Sequence, residues 1–315
     1  MMPWLAEPNV APPPGPPARP GASPVVRRWI YRTAGFRALG HDFAVLTTDV
    51  MLGRWLDRLF ANLRSPGVPA TVYGFATDGP PERPYAVYAN DELLTASERP
   101  ACALRYLSWH VNVHAGRSAA GVVVHAAGAE RDGIGVLLPA ASGHGKSTLV
   151  AGLVRAGFRY LSDEAVSVDP TTSLLQPFPK PIALRPGSWE ALAELRPDLD
   201  EPLAPYACDE WLVDPCSIRP GAIAPPSHAR LVVFPRFLAG ASTQLEPMGR
   251  AEAVCELAGQ TFDFRASAPR NLAVLADLVR SCSCYRLEIG DLTAACDLLG
   301  GLVNDLLHGK GDDDS

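Results

Sequence analysis

The sequence lacks three features that would each point to a particular class of protein. It has no excess of positive charge, because 28 lysines and arginines stand against 34 aspartates and glutamates, and the formal net charge is −6. Its apolar runs meet a charge or a proline well short of the roughly 20 residues that a membrane-spanning helix needs. Its first residues lack the basic and apolar regions of a secretory signal peptide. We therefore expect a cytoplasmic protein with neither nucleic-acid nor membrane partners.

The sequence also lacks paired cysteines. Its seven cysteines include no Cys-x-x-Cys pair, and an odd number disfavours a disulfide framework. Cys282 and Cys284 lie beside an alternating, strand-like stretch, so apolar packing is favoured over metal ligation. His110 and His114 lie four residues apart in a candidate helix over 101–114, which leaves a metal pair open, although the sequence places no third ligand.

The distribution of prolines and apolar residues divides the chain into four parts. Nine prolines fall within the first 24 residues, which predicts a disordered arm over 1–24, with a docking motif as the alternative. Residues 25–118 alternate strand-like runs with helical spacing and predict a smaller mixed α/β region. A second domain is expected over 119–308. Three successive aspartates mark an acidic tail over 309–315.

The sharpest motif lies between residues 133 and 157, where the pattern predicts a strand, a glycine-rich loop and a helix that ends at Gly157. The loop nearly matches the P-loop pattern, in which backbone N–H groups surround phosphate at a helix N-terminus. The usual first glycine is Ala140, whose Cβ disfavours a positive φ, so the start of the loop must adopt a compatible backbone or shift slightly. The candidate nucleotide-binding residues are Ala141, Ser142, Gly143, His144, Gly145, Lys146, Ser147 and Thr148.

This motif predicts ATP and Mg²⁺ as cofactors. Lys146 would contact the β- and γ-phosphates, and the hydroxyl of Ser147 would complete a Mg²⁺ shell that keeps several waters. The strand-like stretch 158–164 then ends in Asp163 and Glu164. Acids beyond a strand beside a P-loop can bind Mg²⁺ or accept a proton from an attacking hydroxyl, and a solvated strand end is the alternative. The metal candidates are Ser147, Asp163 and Glu164.

The order of these motifs is typical of one family. His125 stands at the head of a strand, and the stretches Gly-x-Gly-Val-Leu, Ser-Gly-x-Gly-Lys-Ser and a strand ending in two acids follow without a gap. Residues 269–274 add an Arg-Asn-Leu-Ala segment. The chain thereby resembles HPr serine kinase/phosphorylase, whose core is related to phosphoenolpyruvate carboxykinase. The resemblance implies an α/β fold with a P-loop kinase core of that type over 119–308, preceded by the smaller α/β region.

The resemblance also implies roles for single residues. It implies catalytic roles for His125, Lys146 and Glu164, although Glu164 stands where the family has aspartate, so Asp163 is the alternative base. Ala183 occupies the position of the family's metal-binding glutamate. This difference predicts kinase activity without phosphorolysis, and it makes HPr itself a doubtful acceptor.

Positive charge at a phosphoryl-transfer centre is expected from arginines, because a guanidinium fork matches phosphate oxygens. Arg270, in the Arg-Asn-Leu-Ala segment, is the catalytic candidate. Arg185, which survives from the family's segment around Ala183, is the nucleotide-binding candidate. Arg236 and Lys180 are further candidate cations.

The predicted function is an ATP- and Mg²⁺-dependent kinase that phosphorylates a serine or threonine hydroxyl of a peptide or small protein. Relatives of this kind include kinases of natural-product precursor peptides. Two alternatives stay open: a small-molecule kinase on the same core, and a nucleotide-binding regulatory protein whose catalysis has decayed, as Ala140 and Ala183 would suggest. The sequence leaves the donor open among ATP, GTP and pyrophosphate, and it permits a homo-oligomer.

Overall fold

The computed structural model describes residues 28–309, so the arm predicted over 1–24 and nearly all of the acidic tail lie outside the described residues. The fold is mixed α/β with mixed sheets. The chain forms two compact units: residues up to Ser118 with Pro197–Trp211, and Ala119–Arg196 with the residues from Leu212 onward. The segment Pro197–Trp211 thus belongs to the first unit, which the sequence patterns do not indicate. Within residues 28–309, no helix is long and apolar enough to cross a membrane.

The first unit is a six-stranded sheet with helices. Its elements are β1 (Tyr31–Arg32), β2 (Phe36–Ala38), β3 (His41–Thr47), α1 (Val50–Leu59), β4 (Thr71–Ala76), β5 (Tyr85–Ala89), β6 (Glu92–Ser97) and α2 (Pro100–Ser118). The strand order is β1-β3-β4-β5-β6 with β2 also on β3, and only the β3–β4 pair is parallel. The carboxylate of Asp49 caps α1 by accepting from two backbone N–H groups. The mixed α/β character predicted for this region is confirmed, and the candidate helix over 101–114 lies within α2.

Three histidines of the first unit form a ring cluster with Tyr73. His110 and His114 stack with centroids 4.5 Å apart, and His110 Nδ1 lies 2.9 Å from the Tyr73 hydroxyl. The ring of His41 lies 5.2 Å from that of His114. Among residues 28–309, no group of three or more histidines, cysteines, aspartates or glutamates is arranged to hold a metal ion. The histidines therefore pack as rings, and the structure does not support the metal pair that their spacing left open.

The second unit contains the remaining elements. They are β7 (Val122–Val124), β8 (Ala126–Arg131), β9 (Ile134–Pro139), α3 (Lys146–Arg155), β10 (Arg159–Ser162), β11 (Val166–Val168), β12 (Leu174–Gln176), β13 (Ile182–Leu184), α4 (Pro186–Trp189), β14 (Trp211–Val213, whose first residue ends the first unit), α5 (Pro215–Ile218), β15 (Ser227–Phe237), β16 (Gln244–Pro247), α6 (Arg250–Gly259), α7 (Ala268–Arg280), β17 (Ser283–Ile289) and α8 (Leu292–Leu307). Short 3-10 turns lie in the first unit at Ala61–Leu63 and Ala204–Tyr206, and in the second unit at Ala193–Leu195 and Phe264–Ser267.

The strand directions bring the ends of several strands to one edge of the sheet. Strands β9, β15 and β17 are parallel, and β10 has the same direction because both β10 and β9 are antiparallel to β8. The order across this part of the sheet is β10-β8-β9-β15-β17. The carboxyl ends of four strands and the start of β8 therefore share an edge, which is where open α/β sheets place ligands.

A tight turn sets the register of β8 against β9. Asp132 and Gly133 both have positive φ, 53° and 84°, as a two-residue hairpin turn requires. The hairpin pairs Ala126 with Pro139. His125, immediately before β8, is consequently placed next to the residues that follow β9. Residues 126–131 are alanine- and glycine-rich and carry no strand pattern, so this pairing is visible only in the fold.

Two packing features hold the site's framework. Cys282 and Cys284 are buried, 4% and 6% exposed, within the apolar cluster between the sheet and α6 and α7, which confirms their packing role. Helix α3 lies close against α8 at Gly152, where a Cβ would come within 2.8 Å of Leu292 Cδ1 and 3.0 Å of Cys296 Sγ. A side chain at Gly152 would therefore require the side chains of Leu292 and Cys296 to shift.

Candidate functional site

The glycine-rich loop, defined here as Ala140–Gly145, connects β9 to α3. Gly143 and Gly145 both have φ of +88°, a conformation that glycine adopts without strain. Ala140 is 6% exposed and is not among the described non-glycine residues with positive φ. Its backbone therefore tolerates a Cβ, and the missing first glycine does not distort the loop.

Lys146 is the first residue of α3 and is only 6% exposed. Its ammonium donates to the carbonyl of Ala140 at 2.7 Å and to that of Ala141 at 3.0 Å, and it lies 3.0 Å from His125 Nε2. Burial lowers the pKa of Lys146 to about 8, because desolvation disfavours the charged form more than the nearby carboxylates favour it. The ammonium is thus held between the loop and the start of β8.

The partners of His125 fix its tautomer. Nδ1 lies 2.9 Å from the backbone carbonyl of Glu164, which can only accept, so Nδ1 carries the proton. Nε2 then accepts from the Lys146 ammonium, which can only donate. Burial, and after it the charge of Lys146, lower the pKa of His125 to about 3. The ring is therefore neutral near pH 7 and joins the loop lysine to the acid pair.

Asp163 is buried, 2% exposed, and accepts four hydrogen bonds. Its Oδ2 accepts from the Ser147 hydroxyl and the Ala183 backbone N–H, both at 3.0 Å. Its Oδ1 accepts from the Tyr160 hydroxyl at 2.9 Å and lies 2.8 Å from Lys180 Nζ. Burial alone would raise the pKa of Asp163, but the ammonium of Lys180 and the other donors hold that pKa below its usual value.

Glu164 is the more accessible of the two acids, with 31% of its side chain exposed. Its Oε1 lies 3.7 Å from His125 Nδ1, and its Oε2 lies 4.0 Å from Lys180 Nζ. Its backbone N–H donates to the Ser162 hydroxyl at 3.1 Å. The two carboxylates therefore differ in surroundings: Asp163 is enclosed by four donors, whereas Glu164 keeps a surface that a substrate can reach.

Lys180 is the residue of this cluster whose place the sequence did not single out. Its side chain is 10% exposed and lies between the two acids. The sequence marked it only as one of several candidate cations, because it stands between two prolines outside any periodic segment. The sequence also gives no sign that the Tyr160 hydroxyl and the Ala183 backbone N–H donate to Asp163, because no residue pattern indicates either hydrogen bond.

The remaining predicted residues fall into two groups. The Thr148 hydroxyl contacts the hydroxyl of Ser188, three residues after Arg185. Arg185 is exposed, and its charge makes a small contribution, after burial, to lowering the pKa of Lys146. Arg270 is exposed on α7 and donates to the carbonyl of Ala120 at 3.3 Å. Ala120 precedes β7 and His125 follows it, so Arg270 lies at the other end of that strand and the fold does not bring it to the cluster.

The oxygen atoms around Ser147 suit Mg²⁺ as ligands. A hydroxyl and a carboxylate oxygen lie side by side, and hard oxygen ligands are those that Mg²⁺ prefers. No larger set of metal-ligating side chains is arranged among residues 28–309. Mg²⁺ is commonly held by one or two carboxylates together with substrate phosphates and water, so this pair suits a metal ion that arrives with a nucleotide.

No protein-family model and no curated protein matches this chain. The resemblance to HPr serine kinase/phosphorylase therefore depends on the quoted motifs alone.

Proposed function

We propose that this protein is an ATP- and Mg²⁺-dependent kinase that transfers the γ-phosphoryl group to a serine or threonine hydroxyl of a peptide or small protein. The observation that carries the proposal is one cluster at one sheet edge. Lys146 contacts His125, and the neighbouring Ser147 contacts Asp163 at 3.0 Å, directly after a loop with two left-handed glycines. A chance glycine-rich turn would not bring these four groups together.

The loop and the start of α3 supply the phosphate-binding half of the proposal. Backbone N–H groups at a helix N-terminus carry partial positive charge and attract phosphate. The Lys146 ammonium would exchange its contacts with the Ala140 and Ala141 carbonyls for phosphate oxygens. Its lowered pKa agrees with a buried cation whose charge is stabilised once an anion binds.

Ser147 and Asp163 would hold Mg²⁺ together with nucleotide oxygens and water. When bound, Mg²⁺ neutralises charge on the transferring group. Lys180 keeps Asp163 ionised for this role, because it offsets the effect of burial on the pKa of that carboxyl.

Glu164 is assigned as the base. The acceptor oxygen forms a bond to the γ-phosphorus, the bond from that phosphorus to the leaving ADP oxygen breaks, and the hydroxyl proton passes to Glu164. His125 acts as a positioning residue, because its ring holds the backbone of Glu164 on one side and Lys146 on the other. This assignment uses the accessible acid for proton transfer and the enclosed acid for the metal.

The test is transfer from γ-labelled ATP to an array of serine- and threonine-containing peptides in the presence of Mg²⁺. The wild type should label some peptides, and Lys146→Met should lower the rate on the order of 10²-fold or more. Arg280→Met is the matched control, because it removes an exposed cation of α7 whose partner is Asp277. ATP binding without transfer to any peptide would contradict the peptide acceptor and leave the small-molecule kinase and the nucleotide-binding regulatory protein as the alternatives.

A further inference from the structure

Phe237 is a large apolar residue left exposed beside the glycine-rich loop. It ends β15, it is 51% exposed, and its backbone N–H donates to the carbonyl of His144 at 3.3 Å. A Cβ at Gly145 would lie 3.3 Å from Phe237 Cβ. The backbone and Cβ of Phe237 are therefore held against the loop, while about half of the residue's surface faces solvent.

Polar and charged groups flank the ring. Arg236, the preceding residue, is exposed. The pKa of His144 is lowered by burial, then by the charge of Lys146, and then by that of Arg236, so the charge of the arginine reaches the loop histidine. His144 and Arg236 are thus the polar neighbours of Phe237, His144 through the backbone hydrogen bond and Arg236 as the preceding residue of β15.

The sheet order determines which end of a bound nucleotide would reach this surface. Across the edge, the acids follow β10, His125 precedes β8, the loop follows β9, and Phe237 ends β15. The γ-phosphate belongs on the side of Asp163 and His125, because the metal-binding pair and the inner contact of Lys146 lie there. With the phosphate chain lying along this edge, the nucleoside end would leave the loop on the opposite side, toward β15.

We propose that Phe237, flanked by His144 and Arg236, is the platform on which the base of the bound nucleotide stacks. The inference builds on the proposed nucleotide-dependent function and adds the position of the base. Stacking uses the π-face that every base possesses, so the platform accepts ATP and GTP alike. Pyrophosphate and tripolyphosphate have no base and gain nothing from it. The platform therefore assigns a nucleoside triphosphate, rather than an inorganic polyphosphate, as the donor.

The experiment is calorimetric titration of the full chain with Mg²⁺ and either ATP or inorganic tripolyphosphate. The variants are Phe237→Ala and Phe237→Tyr, and Leu272→Ala is the matched control because Leu272 is a similarly exposed apolar residue on α7, 47% exposed. Phe237→Ala should weaken ATP binding on the order of 10-fold, which is the effect of losing one base stack. It should leave tripolyphosphate binding within about twofold, since that ligand makes no stack. Phe237→Tyr should restore ATP binding.

The outcomes separate this inference from the proposed function. Equal ATP binding by the wild type and Phe237→Ala would overturn the base platform and leave the kinase proposal standing. Equal losses for ATP and tripolyphosphate in Phe237→Ala would also overturn the platform, because they would indicate a distorted loop. Failure of the wild type to bind either ligand would overturn the proposed function and the platform with it.

Discussion

The ammonium of Lys146 lies 3.0 Å from Nε2 of His125. This contact joins the helix that follows the glycine-rich loop to the strand that begins beside the acid pair. Since Nδ1 of the same ring donates to the Glu164 backbone, one neutral imidazole connects the phosphate side of the proposed site to its acidic side. Burial, and after it the charge of Lys146, lower the pKa of this ring to about 3, so His125 is neutral in the free protein near neutral pH.

His125 is therefore expected to act by position. His125→Ala should lower the transfer rate on the order of 10²-fold, because both neighbours lose a partner. His125→Asn should recover much of the rate, since an amide can donate on one side and accept on the other. The decisive readout is the pH–rate profile between pH 5 and 9, which should keep its shape in His125→Asn. A limb that disappears in that variant would instead assign proton transfer to His125.

The two acids are expected to separate kinetically. Glu164→Gln should lower the transfer rate by about 10²–10⁴-fold, the range for loss of a general base, while leaving the affinity for ATP with Mg²⁺ nearly unchanged. Asp163→Asn should weaken the dependence of ATP binding on Mg²⁺, because it removes the charge beside Ser147. Binding titrations with and without Mg²⁺, together with single-turnover transfer, distinguish them. The reverse pattern would exchange the roles of Asp163 and Glu164.

Lys180 is expected to control stability through Asp163. In the wild type the lowered pKa of Asp163 stabilises the fold above the usual carboxyl range, and this contribution is lost as pH falls through the folded-state pKa. In Lys180→Met, burial without the ammonium raises that pKa, so the variant loses stability as pH rises above about 4. The loss near pH 7 should be roughly 3–5 kcal/mol, as for one broken buried pair.

Thermal unfolding at pH 4.5 and pH 7 measures this effect for Lys180→Met. Arg280→Met serves as the control, because it breaks an exposed pair whose arginine side chain is 72% exposed. The difference in melting temperature between wild type and Lys180→Met should widen toward pH 7. A difference that is the same at both pH values would show that Lys180 does not stabilise the fold through the charge of Asp163.

Ala183 predicts a kinase without phosphorolysis. Its backbone N–H donates to Asp163, but its methyl side chain offers no metal ligand. Reverse transfer from a phosphoserine to orthophosphate requires a second anion beside the first and therefore more positive charge. Phosphorylated product incubated with excess orthophosphate and Mg²⁺ should yield negligible pyrophosphate. Pyrophosphate formation at a rate comparable to the forward reaction would show that the alignment of this segment is wrong.

The local parts of the site could be predicted from the sequence because their signals are local. The spacing predicted a strand, a loop and a helix over 133–157, and the structure has β9, the glycine-rich loop and α3 there, with Gly157 at φ +100° after the helix. Apolar periodicity and left-handed glycines depend on neighbours within a few residues, so the pattern alone determines them.

The parts of the site that could not be predicted from the sequence depend on contacts between residues far apart in the chain. Lys180 meets Asp163 across 17 positions of the chain, and its prolines indicate no partner. Strand β8 is alanine-rich and forms because the turn at Gly133 pairs it with β9. The family segment makes Arg270 a catalytic candidate, but a motif does not indicate which end of β7 its helix approaches, and the structure places Arg270 at Ala120.

The most direct test of the central claim is calorimetric titration of the full chain with ATP and Mg²⁺ at pH 7 and pH 9, repeated with Lys146→Met. The account predicts saturable binding at one site, weaker at pH 9 because Lys146, with a pKa of about 8, loses its charge. In Lys146→Met, binding should be weaker on the order of 10-fold or more at pH 7 and should no longer change across this pH range. Equal ATP affinity in the wild type and Lys146→Met would contradict the account.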